Sequence, residues 1–396
     1  MAAKAALKLG ARTEGFELTA SPAPLAPAKT VAIPELQPVR AIGCLLVFAT
    51  HCTLILFPSL FANSPQRSYA QYLLRALYGF FIISGIVLTL PFVGEQQKSF
   101  SAKSFYGQRF FRLYPMYWVS LLFALTIRFA TDRFVALPGI TVWAERFWTL
   151  PLTPSMLFRE FSGVIDIRGL VFPGYWTFAC EVQICLLFPL ILFTVRRTRH
   201  WAIAGAVILG MIVAIHYIGG SVFLMRTLSY FVMGAYLAKY YQPLKLWLQG
   251  LSRPVTWGCF ALFLTFMAIA PVAWPTYRIA LLLFDVFLAL LMVMVQAFSP
   301  LAAISRLRPV QRMGDLSFCF YLVHLPVLTT CAYLLEPRLR SPILSAFAAL
   351  SLSVALAWLG WRFVEMPIRA WAKAFHRDQR ASEGHTVVES REATAS

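Results

Sequence analysis

Acidic residues are scarce in this chain: 17 Asp and Glu stand against 35 Lys and Arg in 396 residues. Charged residues together make up 13%, about half of the roughly 25% found in an ordinary soluble protein. With 59% apolar residues and a mean hydropathy of +0.68, that shortage excludes both a water-soluble core of this size and a disordered chain. Paired cysteines are missing too. The seven cysteines include no Cys-x-x-Cys pair and lie inside apolar runs, so no zinc or iron–sulfur site is expected. A basic start leading directly into an apolar run, the mark of a signal peptide, is also lacking. Residues 1–38 instead carry five prolines between Ser21 and Pro38 and read as a flexible tail.

What the chain does have is a series of apolar runs bracketed by basic residues. The net charge of +18 is therefore spread over flanks and forms no single patch, which argues for membrane lipids as surroundings and against nucleic acid as a partner. Runs long enough to span fall at 41–66, 74–93, 113–130, 174–195, 201–218, 222–240, 255–274, 277–298, 314–335 and 341–362. The expected fold is all-α, a polytopic membrane protein of about ten helices. Placing the N-terminus in the cytoplasm puts 24 of the 35 lysines and arginines on inner loops and tails. Both termini are then cytoplasmic and the membrane is the inner or plasma membrane. The expected organisation is a cytoplasmic tail over 1–38, a transmembrane domain over 39–367 and a C-terminal tail over 368–396.

The one long outer segment, about 131–173, is nearly charge-balanced and carries Trp143, Phe147, Trp148 and Phe158. Such aromatics suit stacking on sugar rings at an acceptor site, or an interfacial belt.

Ionisable groups inside spans are costly and are functional candidates for that reason. His51 follows Arg40 by eleven residues, an advance of about 16 Å that returns to within about 20° of the same helix face. Arg40 then lies at the cytoplasmic edge and His51 near the bilayer middle. Glu181, after Trp176 and Thr177, is placed to orient a histidine, accept a hydroxyl proton or bind a sugar hydroxyl. Arg109 and Arg112 share one helix face at the inner edge of the third span and suit phosphate oxygens. His324 beside Tyr321 and Pro326, and His216, read as structural polar groups. Arg278 and Asp285 read as an internal charge pair. Ser84-Gly85 permits close backbone approach.

Taken in order, these elements resemble the acyltransferase-3 family of integral membrane acyltransferases. Arg40-Ala-Ile-Gly-Cys-Leu-Leu-Val-Phe-Ala-Thr-His51 is similar to its Arg, ten residues, His motif. Phe80-Phe-Ile-Ile-Ser-Gly85, Arg109-Phe-Phe-Arg-Leu-Tyr-Pro115 and Trp176-Thr-Phe-Ala-Cys-Glu181 with Gln183 resemble the elements that follow. Leu316-Ser-Phe-Cys-Phe-Tyr-Leu-Val-His-Leu-Pro326 and Phe363-Val-Glu-Met-Pro367 resemble the closing ones. Val182 stands where the family often has a second acid, and Met366 where it usually has Arg.

The resemblance implies transfer of an acyl group, commonly acetyl, from cytoplasmic acyl-CoA to a hydroxyl of an extracytoplasmic or lipid-linked glycan. It implies a site holding Arg40, His51, Arg109 and Arg112, with acyl-CoA as donor substrate and no permanently bound cofactor or metal. His51 would serve as general base or as the carrier of an acyl-histidine. Acylation of a small metabolite on the cytoplasmic side is the alternative within the family. A lipid-linked sugar flippase, with His and Glu carrying protons, is the alternative outside it.

Overall fold

A computed structural model of the chain describes residues 36–59, 73–93, 97–131, 151–163, 173–217, 223–273 and 303–372, with Leu283, Phe284 and Leu288. Most of both expected tails (1–35 and 373–396), most of the eighth expected span at 277–298, the Arg278/Asp285 pair and Trp143, Phe147 and Trp148 lie outside the described residues, as does the side chain of His216.

Every regular element among the described residues is helical. The order is α1 (Gln37–Leu56), α2 (Ala76–Val93), α3 (Ala102–Ala130), α4 (Pro154–Ser162), α5 (Trp176–Arg197), α6 (Trp201–Tyr217), α7 (Phe223–Lys239), α8 (Tyr241–Gln249), α9 (Arg253–Ala273), α10 (Arg308–Leu334) and α11 (Pro342–Gly360). Helix α11 runs on through a π turn, Trp361–Glu365, to Ala372. Among the described residues, α1, α3, α5, α10 and α11 with its continuation are long and apolar enough to cross a membrane.

Local chemistry sets several boundaries. Pro38, Pro154, Pro309 and Pro342 occupy first turns, where the missing N–H costs nothing. Ser101, Thr153 and Ser341 cap α3, α4 and α11 by accepting from the backbone N–H three residues on. Helix α1 starts at Gln37, earlier than its apolar run, with Pro38 in its first turn and no side-chain cap at Leu36. Helix α3 likewise starts at Ala102, so Arg109 and Arg112 lie inside it and not ahead of it.

Two packed clusters divide the molecule. One joins α1, α3, α10 and α11 around Phe48, Tyr117, Leu121, Phe320 and Leu328; the other joins α2, α5 and α7 around Ile82, Phe188, Tyr230 and Phe231. Side chains at helical spacing on α1, among them Cys44, Val47, Phe48, His51, Cys52 and Ile55, are buried, while Ile42 and Leu45 are exposed. Leu186, Leu190 and Phe193 of α5 are exposed as well, an apolar outer surface suited to lipid. Helices α1 and α10 run parallel, since Gln37 meets Asp315 at one end and His51 meets His324 farther along. Helices α3 and α5 are antiparallel: Tyr106 bonds Leu186, and Tyr117 stacks on Phe178 at 3.7 Å.

Helix α4 belongs to the segment expected as an outer loop, yet it folds back along α3. Tyr114, Tyr117 and Trp118 donate to the backbone carbonyls of Ser162, Glu160 and Phe161 at 2.9, 2.6 and 2.9 Å. These carbonyls belong to the last turn of α4, and that of Glu160 also accepts from the Gly163 N–H at 3.1 Å. The three donors precede the end of α3 by 12–16 residues, so α4 reaches about 18–24 Å down the bundle.

Candidate active site

The site grows from the pairing of α1 with α10. Gln37 Nε2 donates to Asp315 Oδ1 at 3.1 Å, and Gly314 lets the two helices touch there, since an added Cβ would lie 2.5 Å from Gln37 Oε1. Farther along, Phe48 meets Phe320 with ring centroids 5.9 Å apart. One turn beyond, His51 Nδ1 lies 3.0 Å from His324 Nε2, both side chains buried. His324 Nδ1 lies 2.6 Å from the Tyr321 carbonyl oxygen. The Tyr321 hydroxyl donates to the Gly174 carbonyl at 3.0 Å and accepts from Thr177 Oγ1 at 2.9 Å, tying the start of α5 to the pair.

Charged groups collect at the end of the bundle where α1, α3 and α10 begin. Arg40 lies within electrostatic reach of Arg112, Glu181, Glu365 and Asp315, and Arg109 within reach of Arg112, Glu181 and Arg369. The Nε–H groups of Arg40 and Arg109 are buried and have no acceptor among the described residues. Ser84 Oγ donates to Glu181 Oε1 at 3.5 Å, and Glu181 lies within electrostatic reach of both Arg40 and Arg109. The π turn carries Glu365, which accepts from Arg369 Nη1 and Cys319 Sγ, each at 3.1 Å.

Arg40, Arg109, Arg112 and Glu181 are thus brought together as one cluster, and His51 stands farther along α1 from it. The group the structure sets against His51 is His324, which sequence reasoning treated as structural. Asp315 and Glu365 were not singled out either. The signal for His324 and Glu365 lay in the last two motifs, Tyr321-Leu-Val-His-Leu-Pro326 and Phe363-Val-Glu-Met-Pro367, quoted above without a role for either residue. The close approach expected at Gly85 is present, against α7.

A family model described as an acyltransferase domain matches residues 33–362, from before Arg40 to the π turn. The chain belongs to the acyltransferase-3 family. A similar protein, the acyltransferase MdmB of Streptomyces mycarofaciens, is 30% identical over 187 residues. That match covers 45% of this chain and 45% of the relative, so it spans less than half of either. No solved structure matches the chain.

Proposed function

We propose that this chain is a multi-pass O-acyltransferase of the inner or plasma membrane. It moves an acyl group, in our reading acetyl, from cytoplasmic acyl-CoA to a hydroxyl of an extracytoplasmic or lipid-linked glycan. The arginine end faces the cytoplasm, in keeping with the distribution of basic residues. The observation that carries this reading is the placement of His51 and its partner beyond a cluster of arginines with buried, unbonded Nε–H groups. Buried donors without acceptors are costly in a finished protein and suit a ligand that arrives with phosphate oxygens.

In this scheme Arg109 and Arg112 hold the donor's phosphates and Arg40 guides the thioester along α1. Glu181, Glu365 and Asp315 limit repulsion among the arginines before the donor binds. Attack by the acceptor oxygen forms the C–O bond and breaks the C–S bond. The hydroxyl proton passes to His51 and from it to the leaving thiolate. An acyl-His51 intermediate would divide the same exchange into two steps.

The decisive test is acyl transfer and thioester hydrolysis by purified protein. His51→Ala should abolish both while the protein still inserts and purifies normally. Wild-type product from a normally inserted His51→Ala protein would remove His51 from the reaction and this function with it.

A further inference from the structure

The two histidines constrain one another's protons. A carbonyl oxygen only accepts, so the 2.6 Å contact to Tyr321 O requires the proton of neutral His324 to sit on Nδ1. His324 Nε2 is then an acceptor. His51 Nδ1, 3.0 Å away, must carry a proton and donate it to that nitrogen. In neutral His51 the lone pair therefore belongs to Nε2.

The His324 ring has little freedom to do otherwise. Phe320 stacks on it with ring planes 7° apart, and Phe48 meets its edge at 6.5 Å. Tyr321, whose carbonyl fixes the tautomer, is itself held through its hydroxyl by Gly174 and Thr177. The chain of bonds runs Gly174, Tyr321, His324, His51, with Thr177 Oγ1 also 3.1 Å from the Gly174 carbonyl.

We infer that His324 is a positioning residue, which holds His51 as its Nδ1–H tautomer so that Nε2 takes the acceptor's proton. The inference rests on the acyl-transfer reading above and specifies which nitrogen acts. As the C–O bond forms and the C–S bond breaks, the proton lost by the hydroxyl lands on Nε2, and the thiolate later removes it. While His51 is an imidazolium, its Nδ1–H bond to neutral His324 is charge-assisted and so strengthens as the transition state is approached. In the acyl-histidine route the same tautomer presents Nε2 as the nucleophile. His324 touches neither substrate in either case.

Three measurements on the purified full-length protein test this. His324→Ala should lower kcat by about 100-fold or more and leave both Michaelis constants within about twofold, since only transition-state stabilisation is removed. His324→Gln places an amide oxygen near the former Nε2 and should recover at least about tenfold over the Ala variant, because an acceptor for His51 Nδ1–H is restored. Nitrogen-15 spectra of histidine-labelled wild type should show the His51 signal, identified by its loss in His51→Gln, with a protonated Nδ1 and an unprotonated Nε2. Wild-type kcat in the Ala variant would overturn the proposal. So would equal loss in the Ala and Gln variants at matched folded protein, or an Nε2–H tautomer for His51. If neither variant folds, the wild-type spectrum decides alone. An active His51→Ala enzyme would instead sink the function itself, an outcome distinct from the wrong tautomer in a working enzyme.

Discussion

Gly85 of α2 and Gly234 of α7 meet backbone to backbone. A Cβ added to Gly85 would fall 2.1 Å from the Phe231 carbonyl oxygen, and one on Gly234 would fall 2.1 Å from that of Ile82. Neither neighbour is a side-chain tip that can swing aside, so the helices must part to admit a methyl group. Gly85 also follows Ser84, which reaches toward Glu181.

Gly85→Ala should therefore destabilise the protein by about 1–3 kcal/mol, the usual cost of overpacking, and should disturb the arginine cluster through Ser84. Thermal unfolding of the purified protein, with donor titration beside it, checks both effects. An unchanged midpoint would contradict the packing described for α2 and α7.

Replacing Arg109 or Arg112 by Ala should raise the Michaelis constant for acyl-CoA more than it lowers turnover at saturating donor. The acceptor constant should hardly move. Rising salt should weaken donor binding in the wild type and do so less in the double variant, which lacks the contact that screening acts on. Two unchanged donor constants, with only the yield of inserted protein reduced, would leave these arginines as topology charges.

Gly163 ends α4 with φ at 63°, and a Cβ there would lie 2.4 Å from the Phe178 ring. Gly163→Ala meets both a left-handed backbone and that ring, so a loss of about 1–3 kcal/mol is expected. Thermal unfolding of the purified variant checks this. An unchanged midpoint would contradict the packing of Gly163 against Phe178.

Cysteine substituted at Gly250, in a protein whose native cysteines are replaced, should be labelled from the cytoplasm by a membrane-impermeant thiol reagent. Cysteine at Ser155 should be labelled from the opposite side. Reversal of the two would invert donor and acceptor and refute the proposed orientation.

The helices and arginines were legible because hydropathy and charge speak locally. The Arg40–His51 stripe needed only helix geometry, and the closeness at Gly85 needed only the smallness of two residues. The His51–His324 pair was not legible in the same way, because it depends on which helices lie side by side, a matter of packing between Phe48 and Phe320 that no spacing within one helix reports. Glu181 fell in the same gap: its depth in α5 could be read, but its neighbours come from α1, α2 and α3. The return of α4 was hidden for a different reason, since nothing in its polar, proline-bearing sequence shows that Tyr114, Tyr117 and Trp118 receive its carbonyls.

The residues of the histidine pair are 273 positions apart in the chain. At a synthesis rate of 5–20 residues per second, roughly 14–55 s pass between the making of the first histidine and that of the second. Through that interval the nascent protein has made His51 but not His324, the residue proposed to settle its tautomer. A ribosome that stops short of α10 therefore releases a fragment without the His51–His324 contact and, on the proposed mechanism, without turnover. On that mechanism competence arrives late, with α10, and only α11 with its continuation remains to be packed against the same cluster.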